Sequence, residues 1–136
     1  MPDIYTQSLV TKFMDRPFDF HTFDCFDLII QWYKELGFDV PDLKHRRYWN
    51  GEYIKLEDYY KIWEKATTPE TNNVIFMKGG FDGTQYHLGI CLGDGTFVHV
   101  LRKIGVVVSP LKKYENMFLG YYRLNPQYKV GVLNGQ

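Results

Sequence analysis

His87-Leu88-Gly89-Ile90-Cys91-Leu92-Gly93-Asp94-Gly95-Thr96-Phe97-Val98-His99-Val100 is the stretch that decides the fold. Two apolar runs, His87 to Leu92 and Thr96 to Leu101, flank Gly93-Asp94-Gly95, and that pattern predicts a β-hairpin. Strand alternation sets His87, Gly89 and Cys91 on one face and Leu88, Ile90 and Leu92 on the other. With a three-residue loop, Leu92 pairs with Thr96 and Gly89 with His99. His87 and His99 are then diagonal neighbours on one face, about 7 Å apart at the backbone. A two-residue loop, Asp94-Gly95, slips the register by one and sends the histidines to opposite faces. Glycine at the third loop position suits the left-handed conformation of the longer loop.

Downstream of the hairpin, Ile104 to Val108 and Leu119 to Leu124 read as strands, separated by a short helix or turn near Leu111 to Met117. Upstream, Val74-Ile75-Phe76-Met77 is a short apolar run bounded by Asn73 and Gly79. Before that the period is helical. Ile4 to Met14 has loose three- and four-residue apolar spacing, which Pro17 ends, and Phe18 to Phe23 is a loop. From Asp24 the spacing sharpens, with Leu28, Ile29, Trp32, Tyr33 and Leu36 on one stripe. Asp24 is the expected N-cap, Gly37 the stop, and Pro41 bars resumption. Leu56 to Lys65 reads as a further short helix, and residues 38–54 as an irregular aromatic-rich connection. Helices first and four or five antiparallel strands after them predict an α+β domain. Residues 1–124 form that single domain, and 125–136 are expected to extend from it as an arm.

Composition narrows the function. The chain has 136 residues, 45% of them hydrophobic, enough for one packed core. Aromatics make up 18%, which points to a contact surface or substrate groove beyond core filling. Sixteen basic residues balance sixteen acidic ones, and the resulting zero net charge argues against nucleic acid as a partner. The densest basic cluster, Lys44-His45-Arg46-Arg47, reads as a solvated loop. Two distant cysteines, Cys25 and Cys91, signal no disulfide framework. The first residues lack a basic segment followed by an apolar run, and no stretch reaches the length of a membrane span. The expectation is a soluble product made in the cytosol, with no membrane insertion.

Cys25 stands at the predicted helix start, where unpaired amides and the helix dipole favour a thiolate. Its own amide is placed to donate to an oxyanion as the sulfur attacks a carbonyl. His87 is the candidate base. His99 is the expected orienting group, accepting the Nδ1 proton of His87 and fixing its tautomer. Gly89 beside His87 reads as room in a cleft wall. A zinc site built from Cys25, His87, Cys91 and His99 lacks the close ligand pairs of structural zinc motifs, so no metal or other cofactor is expected. Cys91 reads as a filler or as a residue that supports the site from behind, and the acidic residues show no paired-carboxylate arrangement.

Asp24-Cys25 at a helix start, Val74-Ile75-Phe76, His87 to Gly95 and Phe97-Val98-His99 together resemble the NlpC-type cell-wall cysteine peptidases, in particular the branch found among tailed-phage tail proteins. The resemblance spans roughly residues 13–124. It implies a papain-like α+β fold and hydrolysis of peptidoglycan stem peptides. It also implies Cys25 as nucleophile, His87 as base and His99 as orienter. Two departures stand out: Phe26-Asp27 follow the cysteine where the family commonly has Ser-Gly, and the loop Arg16 to Phe23 holds no tyrosine. Phe18 takes the tyrosine's place, so the second oxyanion donor is either missing or supplied by His21 or Thr22. Losing one such donor costs on the order of a hundredfold in rate. The resemblance implies partners among phage tail-tip proteins, carriage in the virion tail and action at the bacterial wall. A structural tail-tip or assembly subunit with a slow or vestigial site is the alternative, and an acyltransferase or amidase acting on another amide is a third.

Overall fold

The computed structural model describes residues 3–19, 23–41, 61–78 and 86–129. Helix α1 (Ile4–Phe13) opens under an Asp3 cap whose carboxylate accepts from the Thr6 amide. Helix α2 (Cys25–Glu35) carries the strong stripe, burying Leu28, Ile29, Trp32 and Tyr33. It closes at Leu36, after which Gly37 turns the chain at φ 95°. Among the described residues six strands follow: β1 (Trp63–Ala66), β2 (Val74–Lys78), β3 (Tyr86–Cys91), β4 (Thr96–Leu101), β5 (Gly105–Pro110) and β6 (Phe118–Leu124). A short helix α3 (Leu111–Tyr114) and a 3-10 turn (Glu115–Met117) lead into β6.

The strands form one antiparallel sheet in the order β1-β6-β2-β3-β4-β5. Alternation gives it two buried faces. One packs Val74, Phe76, Leu88, Ile90, Val98 and Val100 against the helices, with α2 lying on β3 and β4. The other gathers Ile75, Met77, Cys91 and Phe97 under Leu111 and Tyr114 of α3. Trp32 and Leu28 are wholly buried in the first layer. Truncating Leu28 there would cost about 2–5 kcal/mol.

The hairpin adopts the three-residue loop. Ile90 pairs with Val98 and Cys91 with Phe97, and the Leu92 amide donates to the Thr96 carbonyl over 3.0 Å. Gly93 (φ 84°) and Gly95 (φ 88°) take the left-handed conformation that lets this turn close. Both histidines therefore fall on the face of Cys91 and Phe97.

Two local expectations are corrected. Trp63 to Lys65, expected in a helix over Leu56 to Lys65, are strand, and residues 56–60 lie outside the described residues. Pairing decides this: β1 docks on β6 with Trp63 opposite Leu124, and Arg123 donates to Glu64 across the ladder. A partner some sixty residues away outweighs helix propensity. Second, the last hairpin strand runs to Pro110 rather than ending at Val108, because β5 is an edge strand and Pro110 owes no outward N–H. At the start of the expected arm, Pro126–Lys129 form a 3-10 turn, and residues 130–136 lie outside the described residues.

Candidate active site

Cys25 is the first residue of α2, and its start is built by two carboxylates. Asp24 Oδ1 accepts from the amides of Phe26 (2.9 Å) and Asp27 (3.2 Å), while the Asp24 amide donates to Asp27 Oδ2 at 3.0 Å. This reciprocal capping box satisfies first-turn donors that would otherwise lie buried without partners. Asp24 is thus a structural cap beside the thiol. The approach to it is also pinned. Asp19 and Phe23 exchange both backbone bonds at 2.7 Å, and Arg16 sits 3.9 Å over the Phe23 ring. The Arg16 carbonyl accepts from the Val106 amide, which ties this approach to β5. Phe18, at the expected tyrosine position, is partly buried against the helix-side core, with Arg102 over its ring. His21 and Thr22 lie outside the described residues.

His87 and His99 meet directly. Their rings are joined between His87 Nε2 and His99 Nδ1 at 2.8 Å, with centroids 5.1 Å apart. The expectation of contact through His87 Nδ1 is corrected. A diagonal pair must span a long backbone gap, and Nε2 is the ring nitrogen farthest from the strand. His99 Nε2 in turn lies 2.8 Å from Ser109 Oγ on β5. The three side chains form one buried polar chain across β3, β4 and β5. Phe97 packs on the His99 ring at 4.3 Å, and Tyr114 meets its edge at 5.4 Å.

The surroundings hold His99 neutral. Burial is the main cause, followed by the charge of His87 and then of Lys113, and together they lower its pKa well below the ordinary 6.5. A neutral ring can accept a hydrogen bond from a charged partner, which a second imidazolium cannot do.

Gly89 does not open a cleft. The space beside it is filled by the Phe97 ring: a Cβ at position 89 would stand 2.5 Å from Phe97 Cδ2 and 3.2 Å from the Val98 carbonyl oxygen. Cys91 is buried in the sheet face under α3, and burial pushes its thiol up to about 12. It is an inert filler. Ser109 was not singled out from the sequence; the signal that could have found it is its place two residues past Val107, which pairs with His99.

The structure therefore joins His87, His99 and Ser109 by hydrogen bonds, and it sets Cys25 at the end of the helix that packs on the strands carrying both histidines. Cys25, His87 and His99 are all fully buried. Fold and side chains together define an α+β domain with a helix-start cysteine and a histidine pair on an antiparallel hairpin. Residues 14–123 match the NlpC/P60 family, and the chain belongs to that family, whose class is that of cysteine peptidases and amidases. Among solved structures, it is similar to an NLP/P60 family protein, similar to lipoprotein, from Staphylococcus aureus. That match has a TM-score of 0.64 and 21% identity, covering 90% of this chain and 42% of that one. An NlpC/P60 family protein from Bacillus cereus gives a TM-score of 0.58 at 20% identity, covering 90% and 41%. The chain thus spans about two-fifths of the length of these neighbours, which share its fold. Among curated proteins, none matches the chain.

Proposed function

We propose that this protein is a cysteine endopeptidase that hydrolyses peptidoglycan stem peptides, carried on a phage tail. The observation that carries the hydrolase reading is the buried His87–His99 hydrogen bond at 2.8 Å, in a family of cysteine hydrolases. With Nε2 directed to His99, the ring nitrogen assigned to the thiol is Nδ1. His87 Nδ1 takes the Cys25 proton, and the imidazolium so formed donates through Nε2 to His99. The thiolate attacks the scissile carbonyl carbon, and the Cys25 amide donates to the oxygen that becomes negative. As the C–N bond breaks, His87 returns its proton to the leaving amine. Water then attacks the thioester, giving its proton to His87, and the acid leaves as the thiol is restored. Tail carriage is supported by the resemblance of residues 13–124 to the phage-tail branch.

The complete burial of Cys25 favours a second reading, a structural tail-tip subunit that keeps the fold without rapid turnover. In this conformation a substrate carbonyl reaches the sulfur only after local opening. One experiment separates the two. Purified peptidoglycan is incubated with the wild type, Cys25→Ala and His87→Ala, and the released peptides are weighed by mass spectrometry. Peptides released by the wild type alone support the peptidase. No release by the wild type favours the structural subunit. Tail carriage is tested by mass spectrometry of purified virions, and its absence there removes the phage assignment.

A further inference from the structure

We infer that Ser109 is a positioning residue: its hydroxyl oxygen accepts from His99 Nε2–H and so holds His99 in the tautomer that the activated thiolate–imidazolium pair requires. The inference rests on the catalytic reading of Cys25 and His87 above.

Two proton arrangements fit the chain His87 Nε2···His99 Nδ1, His99 Nε2···Ser109 Oγ. In the first, His87 Nε2–H donates to His99 Nδ1, and His99 Nε2–H donates to Ser109 Oγ. His87 Nδ1 then carries a lone pair and can take the thiol proton. In the second, Ser109 O–H donates to His99 Nε2 and His99 Nδ1–H donates to His87 Nε2. His87 then bears its proton on Nδ1 and cannot act as a base there. Once His87 is an imidazolium, both its nitrogens are donors and only the first arrangement remains. His99, held neutral, must then accept at Nδ1 and carry its hydrogen on Nε2. That hydrogen is buried, and Ser109 Oγ at 2.8 Å is positioned to accept it. A buried donor left unmatched costs more than a hydrogen bond gains. Among the described residues, the other titratable groups that bear on His99 are His87 on β3 and Lys113 and Tyr114 on α3.

The test uses the full chain, labelled with 15N-histidine, in which protonated and bare ring nitrogens resonate far apart. The wild type should show His99 protonated on Nε2. Ser109→Ala should shift population towards the Nδ1–H form and raise the pH midpoint of Cys25 alkylation by roughly one unit, about tenfold slower at neutral pH. Ser109→Thr, which keeps the hydroxyl, should restore both. A wild-type spectrum with the proton on His99 Nδ1 overturns the inference without any variant. So does a Ser109→Ala chain whose tautomer and pH profile match the wild type. The tautomer reading needs no substrate. A wild type that releases no peptide therefore sinks the hydrolase reading by itself, and Ser109's hold on His99 is decided by the spectrum.

Discussion

Gly89→Ala tests whether packing, rather than an open cleft, sets the histidine pair. An added Cβ would lie 2.5 Å from Phe97 Cδ2 and 3.0 Å from Cε2, where carbon atoms settle at about 3.5–4 Å. The ring must therefore retreat by about 1 Å, and overpacking of this kind costs about 1–3 kcal/mol. With an unfolding entropy of about 2.1 cal/mol/K per residue over 136 residues, that is a fall in Tm of roughly 3–10 °C. The Phe97 ring is also the surface on which His99 rests, at 4.3 Å, so its retreat carries the orienting histidine with it. A displacement near 1 Å in a catalytic group costs on the order of a hundredfold in rate. The decisive variant is the double substitution Gly89→Ala with Phe97→Leu, in which the smaller side chain makes room for the methyl. Urea denaturation and Cys25 alkylation are measured on the two single variants, the double variant and the wild type. The expected result is a favourable coupling of about 1 kcal/mol or more, with alkylation partly recovered. Additivity within about 0.5 kcal/mol would refute the argument that Gly89 exists to admit Phe97.

Asp24→Ala should cost about 2 kcal/mol, near the top of the usual range for a cap because the box is buried, lowering Tm by roughly 7 °C. Asp24→Asn keeps the acceptor and should recover most of that loss in the same thermal melt; equal losses in the two would count against the cap. Native-state alkylation at pH 8 followed by peptide mapping should modify Cys25 and spare Cys91, whose thiol is pushed up to about 12 by burial. Labelling of Cys91 ahead of Cys25 would reverse these assignments.

The hairpin, α2 and the meeting of two histidines were legible because each is written in local period and turn chemistry. Gly93-Asp94-Gly95 sets a register, and the register sets the face of every following side chain. What escaped depends on distant partners. Trp63 to Lys65 carry helix-compatible residues, and only β6 makes them a strand. Ser109 was hidden by Pro110, which reads as the end of a strand unless that strand is known to be an edge. The choice of Nε2 over Nδ1 lies in ring orientation, which no spacing encodes. Gly89 looked like an opening because glycine has no side chain, but the hairpin itself supplies one from Phe97.

Neutral His99 ties stability and mechanism to the same proton, and acid should expose both. Its folded pKa is lowered from 6.5 to about 3, chiefly by burial, so the unfolded chain binds a proton that the native chain refuses. A depressed histidine contributes fully above its unfolded value, and stability falls as pH drops below about 6.5. The slope for one proton is at most about 1.4 kcal/mol per pH unit, or about 2 kcal/mol between pH 6.5 and 5, where ordinary carboxylates are still mostly ionised. Urea midpoints measured over that window should decline in the wild type and much less in His99→Gln, which has no proton to gain. Parallel curves would mean that His99 is not held neutral. The same result would weaken the relay, because an imidazolium at position 99 would repel the one that thiol ionisation creates at His87. Only a ring that refuses its own proton can steady the neighbour that has just accepted one.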